Sequence, residues 1–121
     1  MFDEDPEFRG VRVDELILKV GDGSRSVIQR GRALLEIGRR ADGRPDLQER
    51  LFGWLGDDSL RAKRWVGPVT LAWIAACGLG HSLKGQEDRE RLSEMLRAWP
   101  DADRDLLLKW AEGEGWFDGI A

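Results

Sequence analysis

The chain has 121 residues, a net charge of -4 and a pI near 5.1, with 35% charged and 41% hydrophobic side chains. That balance, with a mean hydropathy of -0.46, excludes a disordered tail and a membrane-embedded protein, and the length limits the chain to one compact domain. Cys77 is the single cysteine, so no internal disulfide is possible and the fold rests on its core.

Residues 1–10 are acidic and without periodicity, and are expected to form a mobile lead-in. Their acidity is the opposite of a secretory leader. The most apolar stretch, 66–79, is interrupted by Gly67, Pro68 and Thr70 and is too short to span a bilayer. A cytoplasmic location without membrane contact is therefore expected. The excess of Arg over Lys, 15 to 4, is a bias that a GC-rich bacterial or phage source would give, and such a source is expected.

A single all-α domain is expected over 11–112, followed by an aromatic tail over 113–121. Val13, Leu16, Ile17 and Val20 have helical spacing, and Gly21 stops that segment. Ser24 or Ser26 can cap a second helix that runs to Arg39-Arg40, cations suited to a C-terminal dipole. Pro45 opens a third helix with Leu47, Leu51, Trp54 and Leu55 on one face. The fourth begins after Asp57-Asp58-Ser59, is kinked at Pro68 and becomes apolar on all sides through Cys77, which places it at the centre. Leu92, Met95, Leu96 and Trp99 make the fifth stripe, ended by Pro100. Leu106, Leu107, Trp110 and Ala111 make the sixth. Trp54, Trp73, Trp99 and Trp110 all fit core stripes.

Three ungapped segments repeat a pattern: 15–24, 50–59 and 94–103. Each carries two apolar residues and a third three positions later, then a helix breaker (Gly21, Gly56, Pro100) and an aspartate (Asp22, Asp57, Asp101). The aspartates are 35 and 44 residues apart. An Arg follows soon after each, in Ser24-Arg25, Ser59-Leu60-Arg61 and Asp103-Arg104. Over roughly residues 14–112, and most closely over 31–80, the chain resembles HEAT or armadillo-type repeats. It departs from them in its uneven spacing, in the position of Pro68 and in its short third pair. The resemblance implies three stacked antiparallel helix pairs, a short α-solenoid. An irregular six-helix bundle, including a death-fold-like one, is the alternative.

No reaction class emerges from the residues. Cys77 and His81 have no third partner near them in sequence, and Cys77 lies in the most apolar run, so packing explains it. Asp57-Asp58 reads as a cap, and Gly21-Asp22-Gly23-Ser24 lacks the Lys and preceding strand of a phosphate loop. No catalytic, metal or cofactor role is expected. Charge is unevenly distributed: residues 1–24 sum to -4, 25–64 to +4 and 65–121 to -4. In a solenoid the second helices align, which would bring Arg25, Arg32, Arg61 and Arg64 into one basic strip. Trp65, beside Arg64, is a candidate anchor. Trp116 either caps the last pair or docks on a partner. The expected function is a non-catalytic protein-binding module of the adaptor, inhibitor or immunity type, with an acidic partner surface. Nucleic-acid binding through the same strip is the alternative.

Overall fold

The computed structural model describes residues 2–118 and 120. Asp5 starts the first element: its Oδ1 accepts from the Glu7 amide and Pro6 fixes the first position of a 3₁₀ turn, Pro6–Phe8. Helix α1, Val13–Gly21, opens with Asp14 and Glu15 at its positive end. Helix α2, Val27–Arg40, is capped by Ser26, whose Oγ accepts from the Gln29 amide at 3.1 Å, and it closes on Arg39 and Arg40. Helix α3, Pro45–Leu55, carries proline at its first position. A single turn, α4, Asp58–Arg61, follows the Asp57 cap.

The fourth expected helix is interrupted. Residues 64–70 form an antiparallel hairpin, β1 Arg64–Val66 and β2 Val69–Thr70, with Val66 opposite Val69 and Arg64 opposite Thr70. Pro68 therefore kinks no helix; it sits in the hairpin turn. Gly67 precedes it at φ +53, a conformation that glycine adopts freely and that tight hairpins use at their first central position. Thr70 then serves both elements. It ends β2, and its Oγ1 accepts from the Trp73 amide to cap helix α5, Leu71–Ser82. The expectation of an all-α chain holds at the coarser level: the described residues are mostly helical, with this small sheet added.

Helix α5 is the centre. Every residue from Leu71 to Gly80 is buried, and the helix packs against α2 and α3. Its approach to α2 is closest where Gly78 meets Gly38. A Cβ on Gly78 would lie 3.1 Å from the Gly38 Cα, so the crossing depends on both lacking one. Around it Leu34, Ile37, Leu51, Leu55 and Ile74 are fully enclosed, each contributing about 1.5–3 kcal/mol by burial. Polar ties join the layers. Arg30 is buried and donates to the Val20 carbonyl at 2.8 Å, fastening α2 to the end of α1. The Trp99 indole donates to the Leu55 carbonyl at 3.3 Å.

Helices α6, Gln86–Arg97, and α7, Asp101–Trp110, complete the chain. Helix α7 buries a narrower stripe than its spacing predicts. Leu107 and Ala111 are enclosed, whereas Leu106 and Trp110 are 50% and 43% exposed. Helix α7 packs on α6, and an outer helix of that kind covers only one row of its side chains. Among the described residues no helix is long and apolar enough to cross a membrane.

The aspartate turns at the first two repeat positions are alike. Asp22 Oδ1 accepts from the Ser24 amide and hydroxyl at 3.0 and 2.6 Å; Asp57 Oδ1 accepts from the Ser59 amide and hydroxyl at 2.9 and 2.7 Å. The third differs, for Asp101 pairs with Arg104 at 3.1 Å.

Candidate interaction surface

Three of the four arginines singled out by charge distribution have separate local partners. Arg25 lies beside Asp22 at 3.4 Å. Arg61, at the end of α4, meets Asp58 at 3.1 Å and Asp103 at 4.0 Å. Arg32, halfway along α2, donates to Asp5 at 2.8 Å and also to Glu7, both in the opening acidic segment. Arg64, at the start of β1, is exposed and has no carboxylate within ion-pairing distance among the described residues; the same holds for Lys63. The hairpin also presents Val66, which is 57% exposed.

Trp65 points the other way along the strand and lies half-buried on α2. Gly31 makes the seat: a Cβ there would fall 2.3 Å from the indole ring. Trp65 and Arg32 are thereby brought to one groove of about 430 Å³, with Leu35 and Glu36 from α2 and residues 3–6 opposite. Glu36 is buried and chelated: Arg39 donates at 2.8 and 2.7 Å and Arg40 at 2.6 Å. Burial pushes the Glu36 carboxyl up, but the two guanidinium groups outweigh it and hold the group below the ordinary carboxylate range. The Arg32 guanidinium, assisted by the Glu7 amide, holds Asp5 low as well.

The opening segment, expected as a loose lead-in, is anchored at Phe2, Asp5 and Phe8, while the residues between them are exposed. Phe2 stacks on His81 at 4.8 Å and meets Trp116 edge-on at 5.4 Å. Phe8 is buried, with Lys19 and Arg32 over its ring at 5.5 and 5.6 Å. Arg40 donates to the Phe8 and Val11 carbonyls at 2.9 and 2.7 Å. Sequence reasoning missed Phe2, Asp5, Glu7, Phe8 and Arg40. The signal available was two phenylalanines in an otherwise acidic run, which burial alone explains.

Trp116 is folded back onto its own chain. It lies against Gly80, Phe2 and Trp110. Arg89 secures it by donating to four carbonyls, those of Gly80, Leu83, Trp116 and Asp118, at 3.2, 3.3, 3.0 and 2.9 Å. Cys77 is fully enclosed, and burial pushes its thiol up to about 12. Asp57 is engaged in its cap.

Compared with protein-family models, curated proteins and solved structures, the chain matches none.

Proposed function

We propose that the chain is a non-catalytic protein-binding module that presents an arginine-rich surface, built from α2, α4 and the hairpin, to an acidic partner. The observation that carries this reading is the hairpin, where Val66 is exposed and the exposed Arg64, on the same strand, and Lys63, at its base, have no carboxylate within ion-pairing distance among the described residues. An apolar side chain flanked by free cations on a braced turn favours a partner with an apolar spot ringed by carboxylates. The bracing comes from the Leu71 amide, which donates to the Lys63 carbonyl at 2.9 Å, and from Trp65 on Gly31. Arg25, Arg32 and Arg61 have their charges already balanced by aspartate or glutamate. Such balanced pairs present little field to a phosphate backbone, which favours protein over nucleic acid.

The stacked-pair architecture belongs to the same proposal. Contacts of α1 with α2, of α3 with α5 and of α2 with α5 support an order of two pairs with their second helices side by side. The exposed Leu106 and the partly covered Trp110 on α7 fit the end of such a stack.

The test is affinity capture from source-cell extract with the wild-type chain and with R64E/V66D, both substitutions being at exposed positions. Loss of the partners retained by wild type is expected. Identical capture by both would refute the reading. A mobility shift of duplex DNA by wild type at low salt, abolished in R64E/V66D, would replace it with the nucleic-acid reading.

A further inference from the structure

We propose that the groove of α1 and α2 that seats residues 5–8 is a docking site for an acidic segment with an aromatic residue at its end, and that residues 2–8 hold it in cis as an internal competitor. The inference rests on the protein-binding reading and specifies the partner's chemistry: an acid–Xaa–acid–aromatic sequence, as in Asp5-Pro6-Glu7-Phe8.

Three kinds of contact hold this segment, and each is a contact a peptide site makes. Arg32 takes two carboxylates, Asp5 and Glu7, with one guanidinium. Phe8 fills an apolar socket whose rim carries Lys19 and Arg32 above the ring. Arg40 reads the main chain, donating to the carbonyls of Phe8 and Val11. Charge, aromatic and backbone are thus all recognised by side chains of α1 and α2. Further back, Phe2 covers Gly38, where a Cβ would stand 2.8 Å from its ring. The segment therefore runs from Trp116 past the Trp65 groove to α1.

Beside the buried Phe8 and the Arg40 bonds, the ionic part of its hold is weak. Arg32 and Glu7 are 39% and 63% exposed at the side chain, so their attraction is screened by salt and weak for an isolated pair. An external segment of the same pattern meets the same arginines once the internal one leaves. The internal segment lowers the apparent affinity by the fraction of time it occupies the groove.

The experiment uses the wild-type chain and its D5N/E7Q variant, both changes being on the segment itself, at half-buried Asp5 and exposed Glu7. The probe is a fluorescein-labelled peptide with the sequence of residues 2–10, followed by anisotropy at low and at physiological ionic strength. The variant is expected to bind the probe roughly tenfold more tightly than wild type, because the competing segment is weakened. Binding should fall with added salt, and should vanish for a probe carrying Asn and Gln at the positions of Asp5 and Glu7, and in D5N/E7Q/R32Q. Equal affinity of both chains, absence of binding by the variant, or binding that survives neutralisation of the probe would each overturn the proposal. Concentration-dependent dimers of wild type that D5N/E7Q abolishes would also overturn it, by assigning the groove to the segment of a second copy. Hairpin-dependent capture in the R64E/V66D comparison is read independently, so failure here leaves the broader reading standing or falling on its own test.

Discussion

Gly78→Ala and Gly53→Ala are the same chemical change and should move stability in opposite directions. Adding a methyl to a helical glycine gains about 1 kcal/mol of intrinsic helix preference at either position. At Gly53, on the exposed side of α3, the new Cβ meets nothing within 4 Å. The gain survives there at about 0.5–1 kcal/mol, a little reduced near the helix end. At Gly78 the new Cβ would stand 3.1 Å from the Gly38 Cα and 3.3 Å from Leu51 Cδ1. The first of these is backbone of the facing helix and has no rotamer to change. Helices α2 and α5 must move apart by a few tenths of an ångström, loosening the packing between α2 and the buried α5. Overpacking of this kind costs about 1–3 kcal/mol, so against the helix gain of about 1 kcal/mol the net change is a loss of up to about 2 kcal/mol. For a domain of this size that is a fall in Tm of up to roughly 10 °C, against a rise of roughly 2–5 °C for Gly53→Ala. Thermal denaturation followed by circular dichroism reads both. A Gly78→Ala chain that melts as far above wild type as Gly53→Ala does would refute the close-crossing account of α2 and α5.

Glu36→Gln should destabilise by about 1–3 kcal/mol, less than for a wholly buried pair because Arg39 and Arg40 still reach water. Because the folded carboxyl titrates below its ordinary value, its contribution is full above the unfolded pKa and is lost as pH falls through the folded one. Urea melts should therefore lose stability below about pH 4.5 in wild type and less steeply in Glu36→Gln; parallel pH profiles would count against the chelated carboxylate. Arg89→Ala removes four carbonyl contacts at once. It should raise hydrogen exchange at residues 116–118 by at least about tenfold, with Arg89→Lys recovering part of the protection; unchanged exchange would mean the tail is held by Trp116 packing alone. Cys77, with its thiol pushed up to about 12, should resist a thiol-reactive dye at pH 8 in the native chain and react at once in guanidinium. Rapid native labelling would show that the centre opens.

What the residues disclose in advance depends on whether the deciding contact is local. The glycine and proline punctuation at Gly21, Pro45, Gly56 and Pro100, with the helical spacing between, locates the ends of α1, α3 and α6 because helix caps are near-neighbour interactions. The two Asp-Xaa-Ser turns are legible for the same reason. The hairpin was not. Arg64-Trp65-Val66 and Val69-Thr70 are too short to show alternation, and a proline after a run of polar helix formers reads as a kink until Gly67 is allowed a positive φ. Trp65 stood out by its neighbours, but the seat it occupies is Gly31, thirty-four positions earlier. Arg32 was visible as a cation, whereas its partners Asp5 and Glu7 lay in a run whose acidity disguised two anchoring phenylalanines. Stripe width was the other gap: spacing gives the face of α7, but only its neighbours decide that Leu107 is enclosed and Leu106 is not.

The twin Asp-Xaa-Ser turns carry a consequence for the order in which the chain folds. Each closes on bonds spanning two residues, so each can form before any distant part of the chain arrives, and each sets the exit angle of the helix before it. The third turn has a proline and an aspartate–arginine pair in place of the serine, and α7 beyond it buries little. The amino-terminal two thirds should therefore organise first and the α6–α7 region last. Ser24→Ala and Ser59→Ala should then slow folding with little change in unfolding, while Leu107→Ala should chiefly quicken unfolding. Stopped-flow chevrons in which all three substitutions act on the same limb would reverse that order.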